Sequence, residues 1–330
     1  MRERLLSLIP RLAGHRILVV GDVILDEYLI GRATRMSREA PIPVLEFESR
    51  RHVPGGAGNP AANIAALGST AHLVAVVGND ADADGLRATL RQNGIAPDAL
   101  IVDESRPTTV KSRLMAHMGL RFPQQVARLD RLSRDSLPQQ VETQVSDRIA
   151  ALLPQVDAAL GSDYQTGMLS PALAEHLREL AGPRLIAADA QGQFGKYVGY
   201  DLIKCNVDEA RETLRRDLKT DADFAAGARQ LFQDLRLRRG MVITRGSEGA
   251  TIATPDGESH CPAPAITDVY DTVGAGDTAV AVMTLALVAG ASPVEAVTLA
   301  NVASGVVVRR VGNYAPTPDD LRQALAAAAF

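Results

Sequence analysis

The sequence predicts an α/β fold in which helices cover both faces of a mostly parallel central sheet, giving three layers, α/β/α, with a small β-lid. Short apolar runs alternate along the chain with stretches of helical periodicity, which is typical of successive β-α-β units. The apolar runs lack polar alternation, as expected for strands that are buried on both faces. Two further segments do alternate, and these predict the lid.

The elements of the main sheet follow this rhythm in order. Strands are predicted at residues 17–20, 71–77, 158–161, 184–188, 202–204 and 241–244. Helices are predicted at residues 61–67, 84–93, 170–180, 207–216, 223–235, 277–290 and 321–329. Because parallel strands end at the same edge of a sheet, polar residues that follow these strands are expected to share one crevice.

The lid is predicted from segments 27–53 and 108–130, inserted into a single domain that spans residues 1–330. Both segments alternate polar and apolar residues, and the first contains prolines suited to an edge strand. We expect a small antiparallel flap with one exposed apolar face. Such a face needs a partner, so we expect the lid to cover a ligand, to form a homodimer contact, or to do both.

Composition excludes several classes of protein. Thirty-five basic and thirty-nine acidic residues give a net charge of −4, which provides no electrostatic basis for binding nucleic acid. The N-terminus alternates charged and apolar residues and is not a signal peptide, and no apolar run is long enough to span a membrane. Only Cys205 and Cys261 occur, without metal-ligand spacing, which fits a reducing cytoplasm. We therefore expect a cytoplasmic protein with no membrane partner.

The run D-T-V-G-A-G-D-T at residues 271–278 predicts phosphoryl transfer. Gly274, Ala275 and Gly276 offer backbone N–H groups at a helix start, where the macrodipole favours a phosphate. Asp277 follows at once and would face that phosphate. A carboxylate in this place can take the proton of an attacking hydroxyl, so Asp277 is predicted to be the general base.

A second glycine-rich run, P-G-G-A-G-N-P-A-A-N at residues 54–63, has two interpretations. Gly56, Gly58 and Ala61 match a dinucleotide-binding fingerprint, but the charged residues and proline before them make a poor strand. The favoured interpretation is a glycine turn at Gly55 and Gly56 that, with Asn59, lets backbone N–H groups approach a hydroxylated ligand.

Together these motifs identify a family resemblance that covers essentially the whole chain. The run G-G-A-G-N-x-A at 55–61, its spacing to Gly68 and Gly78, and the 271–278 block resemble the two signatures of the carbohydrate kinases of the ribokinase (PfkB) family. The resemblance implies a ribokinase-like fold, ATP and Mg²⁺. It implies nucleotide-site residues Asn206, Glu209, Thr244, Gly246, Gly249 and Asn301, with Glu209 acting on Mg²⁺ directly or through water.

Other motifs narrow the resemblance. The runs V-G-D-V-x-L-D-x-Y at 20–28, S-x-E-A-P-I-P-V at 37–44 and S-D-Y at 162–164 are similar to the heptose 7-phosphate kinases of lipopolysaccharide inner-core synthesis. This resemblance implies ATP-dependent phosphorylation of D-glycero-D-manno-heptose 7-phosphate at its anomeric hydroxyl, with Asp22 and Asp163 holding the sugar. Since the chain ends at Phe330, a stand-alone kinase is expected.

Several assignments stay open at this level. A sugar that carries its own phosphate needs cations, and Lys111, Arg113 and Arg128 alternate along the flap, although solvated flap charges would show the same pattern. Asp271 is either a turn residue or, by resemblance, part of a monovalent-cation site for K⁺. Thr166 and Gln191 stand where these heptose kinases often have lysines, so no lysine is assigned to the nucleotide, although Lys196 could substitute.

Three alternatives to the heptose kinase remain. The nearest is a kinase of the same family for ribose, fructose or a nucleoside. A non-catalytic sugar-binding protein is disfavoured by the intact 271–278 block, and a dehydrogenase by the missing strand before Gly56.

Overall fold

The computed structural model describes residues 1–119, 123–266 and 268–327. Within them the strands are β1 (Arg16–Gly21), β2 (Val23–Met36), β3 (Pro43–Gly56), β4 (Thr70–Val77), β5 (Leu100–Val102), β6 (Val110–His117), β7 (Gln124–Arg131), β8 (Ala158–Asp163), β9 (Leu185–Ala190), β10 (Leu202–Asn206), β11 (Gly240–Thr244), β12 (Ala250–Thr254) and β13 (Gly257–Cys261). The α-helices of the same residues are α1 (Arg2–Leu8), α2 (Gly58–Ala66), α3 (Ala81–Gln92), α4 (Gln139–Leu152), α5 (Pro171–Ala181), α6 (Val207–Leu214), α7 (Asp221–Asp234), α8 (Ala275–Val288), α9 (Pro293–Val307) and α10 (Pro318–Ala327).

The central sheet has the order β13-β12-β11-β10-β9-β8-β1-β4-β5. All neighbours from β11 to β5 run parallel, and β12 and β13 pair antiparallel at one edge. The predicted mostly parallel sheet is therefore confirmed. β1 pairs with β4 on one side and with β8 on the other, so the strand order reverses there and opens a crevice at the carboxyl ends.

A second sheet of order β3-β2-β6-β7 forms the lid. The expectation of an antiparallel flap is wrong for one pair, because β2 and β6 run parallel. The cause is the path of the chain. The β2–β3 and β6–β7 hairpins of the lid are separated in the chain by β4, α3 and β5 of the main domain, so β6 returns to the lid by a crossover. Residues 120–122 of the predicted lid segment, and 328–329 of the predicted C-terminal helix, lie outside the described residues.

Some elements escaped prediction for identifiable reasons. Helix α9 is apolar nearly all round because it packs against α8, so it lacks the amphipathic periodicity of a surface helix. A capping box from Ser292 to Glu295, with Pro293 at the first helical position, was the signal that marks its start. The β12–β13 hairpin turns at Thr254–Gly257, where the sequence T-P-D-G is a turn signal. None of the helices in the described ranges is long and apolar enough to cross a membrane.

Candidate active site

The anion-binding helix start lies where the sequence predicts it. Gly274 caps α8 with φ +82, a conformation that favours glycine, and α8 begins at Ala275 rather than at Asp277. Asp277 is thereby the third helical residue, only 7% exposed. The first turn of α8 presents its unpaired N–H groups beside this carboxylate, so a phosphate bound there would adjoin Asp277.

Asp277 is held by one donor on each carboxylate oxygen. The Asn59 amide Nδ2 donates to Oδ2 at 2.8 Å, and the Tyr164 hydroxyl donates to Oδ1 at 2.7 Å. Asn63 Nδ2 donates to Asn59 Oδ1 at 3.0 Å, which fixes the direction of the Asn59 amide. Burial, reinforced by the charge of Asp189, raises the pKa of Asp277 to about 7. A base with this pKa is matched to neutral solution.

A buried ion pair that the sequence analysis missed lies under the anion-binding turn. The Lys204 ammonium on β10 contacts both oxygens of Asp189 on β9 at 2.7 Å. A Cβ on Gly276 would lie 2.9 Å from Lys204 Nζ, so this glycine makes room for the cation. The signal was a lysine inside the apolar run L-I-K-C. The suggested substitute Lys196 is engaged elsewhere, because its ammonium lies 2.6 Å from Asp163 Oδ2.

A second cluster of polar side chains lies on the lid side of the anion-binding turn. Asp26, which the sequence analysis did not identify, is at its centre, and with Arg113 and Asn313 it forms what we call the Asp26 group. Asp26 is buried and pairs with Arg113. Asn313 Nδ2 donates to Asp26 Oδ2 at 2.9 Å. A Cβ on Gly55 would lie 2.3 Å from the same oxygen, which explains the glycine. Since a Cβ on Gly274 would lie 2.9 Å from Asn313 Oδ1, this group adjoins the anion-binding turn.

The predicted sugar contacts Asp22 and Asp163 already accept hydrogen bonds within the chain. Asp22 accepts hydrogen bonds from the backbone N–H groups of Tyr164, Thr166 and Met168 at 2.8–3.2 Å. Asp163 accepts from Gln165 N–H at 2.9 Å and from Lys196. Both carboxylates are almost fully buried. They therefore shape the loop that presents Tyr164, and their contact with a sugar stays a prediction.

The glycine turn at 55–56 serves chain packing more than ligand approach. Gly56 has φ +53, and a Cβ there would lie 2.1 Å from the Asp22 carbonyl oxygen. The argument that no strand precedes the turn was wrong, because β3 ends at Gly56. β3 belongs to the lid and pairs antiparallel with β2, however, so the β-α-β context of a dinucleotide site is absent from the described residues. Asn59 contacts the Asp277 carboxylate directly.

The three lid cations differ in what they already contact. Arg113 pairs with Asp26 and stacks over the Tyr28 ring. Arg128 is 48% exposed in its side chain and pairs with Asp130 at 2.8 Å. Lys111 makes no ion pair within the described residues; its Nζ lies 5.0 Å from the centre of the Tyr164 ring, and burial lowers its pKa. Lys111 is therefore the cation with the most binding capacity left for a ligand.

Four of the six predicted nucleotide residues line one cavity of about 620 Å³, and Asn206 and Glu209 do not. Thr244, Gly246, Gly249 and Asn301 line it, and so do Ala275 and Gly276 of the anion-binding turn. The remaining lining is largely apolar, which suits a flat base stacked between side chains. Asn301 Nδ2 donates to the Cys261 carbonyl oxygen at 2.8 Å, so this residue also fixes the cavity wall.

Asn206, Glu209 and Asp271 already make local backbone contacts. Asn206 and Glu209 form a capping box at the start of α6, with reciprocal hydrogen bonds of 2.9 and 2.7 Å. Burial raises the pKa of Glu209. Asp271 accepts from Val273 N–H at 3.0 Å and from Gly312 N–H at 2.9 Å, which is the turn role left open above. The described residues contain no cluster of three potential metal-ligating side chains.

Comparison with known proteins follows this geometry. The pfkB family carbohydrate kinase profile matches residues 15–320. The "Bifunctional protein HldE" of Paramagnetospirillum magneticum is 35% identical over 325 residues, covering 97% of this chain and 65% of that protein. The protein of the same name from Caulobacter sp. (strain K31) is 38% identical over 328 residues, covering 96% and 64%. The chain thus spans just under two thirds of the length of these relatives.

Solved structures share the fold. Phosphofructokinase-2 from Escherichia coli, in complex with substrates and products, has a TM-score of 0.77 at 18% identity and covers 96% of this chain and 99% of its own. Ribokinase from Thermotoga maritima has a TM-score of 0.72 at 19% identity, with coverages of 95% and 100%. The expected ribokinase-like fold is therefore confirmed.

Proposed function

This chain belongs to the pfkB family of carbohydrate kinases and is an ATP-dependent sugar kinase, and we propose that its acceptor is D-glycero-D-manno-heptose 7-phosphate. The product would be the 1,7-bisphosphate, phosphorylated at the anomeric C1 hydroxyl, an intermediate for ADP-heptose and the lipopolysaccharide inner core. One observation carries the chemistry: Asp277 and the start of α8 lie between the nucleotide cavity and the Asp26 group.

The reaction follows from this placement. Asp277 takes the proton of the anomeric hydroxyl, whose oxygen forms a bond to the γ-phosphorus of ATP. The bond from that phosphorus to the β-phosphate oxygen breaks, and ADP leaves. The N–H groups at Gly274–Gly276 and the Lys204 ammonium stabilise the negative charge on the transferred group.

The lid supports a sugar that already carries a phosphate. Asp26 and Asn313 offer acceptors and an amide beside the anion-binding turn for the sugar hydroxyls. Lys111 lies beside Asp26 in the register of β2 and β6 and is not paired with a carboxylate in the described ranges. A phosphate at the far end of the sugar would neutralise it. HldE, the name of the relatives at 35–38% identity, agrees with a heptose substrate.

Two metal ions belong to the proposal. Mg²⁺ is usually held by one or two carboxylates together with substrate phosphates and water, so Glu209 alone is a sufficient protein ligand. Such an ion would neutralise charge on the β- and γ-phosphates. K⁺ near Asp271 would stiffen the anion-binding turn; replacing K⁺ by choline should then lower turnover.

The lid also supports a homodimer. Phe47 on β3 is 71% exposed and Leu129 on β7 is 68% exposed, which is unusual for large apolar side chains on a sheet. We propose that a second copy covers them, in a cytoplasmic enzyme. Light scattering measures the mass of the unaltered protein and of a Phe47→Glu, Leu129→Glu double variant. The unaltered protein should be a dimer and the variant a monomer; a monomer mass for both proteins would refute the proposal.

A substrate panel tests the function. ATP consumption is measured with heptose 7-phosphate, ribose, fructose, fructose 6-phosphate and adenosine, and heptose 7-phosphate should give the highest kcat/KM. Greater activity on an unphosphorylated sugar would overturn the substrate. Asp277→Asn should abolish turnover on every sugar while retaining ATP and sugar binding by calorimetry. The matched control Asp223→Asn alters the third residue of α7, which does not line the cavity, and should keep kcat.

A further inference from the structure

Tyr164 contacts the base but takes no part in the chemistry described so far. Its hydroxyl donates to Asp277 Oδ1 at 2.7 Å. Burial raises the pKa of Tyr164 well above its usual value, so the hydroxyl keeps its proton and can act only as the donor here. A carboxylate that receives a hydrogen bond is stabilised in its charged form.

The other groups that face Asp277 come from three elements. Asn59 of α2 donates to Oδ2 at 2.8 Å, while Asp189 of β9 and Lys204 of β10 act through charge. Burial and Asp189 disfavour the ionised carboxylate, whereas Tyr164, Lys204 and Asn59 favour it. Lys204 acts on Asp277 through its charge and hydrogen-bonds to Asp189 instead, at 2.7 Å. Tyr164 therefore provides the direct support for Oδ1.

Tyr164 is held through its backbone and through its ring. Asp22 accepts the backbone N–H of Tyr164 at 2.8 Å, which anchors the loop at the end of β8. Lys111 of the lid strand β6 lies over the ring, with Nζ 5.0 Å from the ring centre, in a cation–π contact. A loop residue clamped by a buried carboxylate and a lid cation holds its hydroxyl in one place.

We propose that Tyr164 is a positioning residue, whose hydroxyl keeps the Asp277 carboxylate oriented and ionised for proton abstraction. The inference rests on the proposed role of Asp277 as the base. It assigns to Asp22 and Lys111 a shared effect on the base through Tyr164, whose backbone N–H contacts Asp22 and whose ring contacts Lys111.

The test is the pH dependence of kcat/KM for Tyr164→Phe, which removes the hydroxyl and keeps the ring. The acidic limb of the profile should move up by about one to two pH units, because a hydrogen bond to a charged group is lost. At neutral pH kcat/KM should fall roughly tenfold or more and should recover near pH 9. A variant that was only misfolded would not recover.

Tyr28→Phe is the matched control, because the buried Tyr28 hydroxyl has no hydrogen-bond partner in the described part of the chain. Its profile should overlay that of the unaltered enzyme. An unshifted acidic limb in Tyr164→Phe would overturn the proposal.

A second measurement needs no substrate. Carbon NMR follows the aspartate carboxyl signals, and the signal of Asp277 is assigned by its loss in Asp277→Asn. This signal should titrate at higher pH in Tyr164→Phe than in the unaltered enzyme. If Asp277→Asn keeps turnover, the base assignment fails; if Asp277→Asn is inactive but Tyr164→Phe does not shift the signal, only the positioning role fails.

Discussion

Lys204 and Asp189 form a two-pronged ion pair directly beneath the anion-binding turn, with both Nζ–O distances at 2.7 Å. Both side chains are more than nine-tenths buried. Such a pair costs desolvation energy that its own attraction barely offsets, so it is weak evidence for stability. Its contact with Gly276 indicates that the cation serves the phosphate instead.

The Lys204→Met variant separates the effect of the ion pair on stability from its effect on phosphoryl transfer. The single variant leaves Asp189 buried and unpaired, so stability should fall by about 3–5 kcal/mol, and kcat should fall roughly 10²–10³-fold. The double variant Lys204→Met, Asp189→Asn removes both charges and should recover most of the stability but none of the activity. Denaturant unfolding and steady-state kinetics check this. A double variant with normal kcat would contradict the role in phosphoryl transfer.

Gly276→Ala should lower activity by crowding the Lys204 ammonium. The residue lies in α8 without a positive φ, so the helix backbone itself accepts alanine. The new Cβ would lie 2.9 Å from Lys204 Nζ and displace the ammonium, so kcat should fall roughly 10- to 100-fold. Gly195→Ala is the control, since nothing lies within 4 Å of its Cβ position. Equal kcat values for the two variants would refute the steric argument.

The sequence predicts what depends on local pattern and misses what depends on contacts between distant strands. The helix start at Gly274 and the place of Asp277 in its first turn could be predicted because glycine conformation and helix polarity are local. Lys204 and Asp189 could not, since their pairing requires the β9–β10 register. The hydrogen bonds of Asp22 could not be predicted for the same reason: its place after β1 follows from the sequence, but its bonds to the loop after β8 are tertiary.

The buried charge of Asp277 should make the enzyme less stable above neutral pH. Its pKa is about 7 in the folded protein, against 3.8 as the ordinary value, so the folded state holds the proton more tightly. The contribution of Asp277 to stability should therefore be most favourable at low pH, become less favourable as pH rises from about 4 to 7, and stay constant above that. Asp277→Asn removes this charge and should raise the free energy of unfolding at pH 8 by up to about 4 kcal/mol. Thermal unfolding at pH 8, 6 and 4 should show that the difference in stability between Asp277→Asn and the unaltered protein narrows as the pH falls. A difference that stays constant would refute the raised pKa of Asp277.

Asp22→Asn and Asp26→Asn should have different kinetic signatures. Asp22 holds three backbone N–H groups, and an amide nitrogen placed against them would cost about 1–3 kcal/mol of stability. The KM for sugar should change little in this variant. Asp26→Asn should raise the sugar KM at least tenfold while the ATP KM stays constant. A large increase of sugar KM in Asp22→Asn would support the predicted contact of that residue with the sugar.

The Lys111→Met variant tests whether Lys111 is the cation that binds the phosphate of the sugar. Lys111 faces the cleft beside Tyr164 without a carboxylate partner in the described ranges, whereas Arg128 is bound to Asp130 and solvated. A partly buried charge-assisted contact contributes about 1.5–3 kcal/mol, so the KM for a phosphorylated sugar should rise roughly 10- to 100-fold. The same variant should leave the KM for the unphosphorylated sugar unchanged, because no charge contact to a sugar phosphate is lost there. Arg128→Met is the matched control and should alter the KM less than threefold, since an exposed pair is screened by water. If Arg128→Met has the larger effect, the phosphate lies over β7, and the lid must close further than this structure shows.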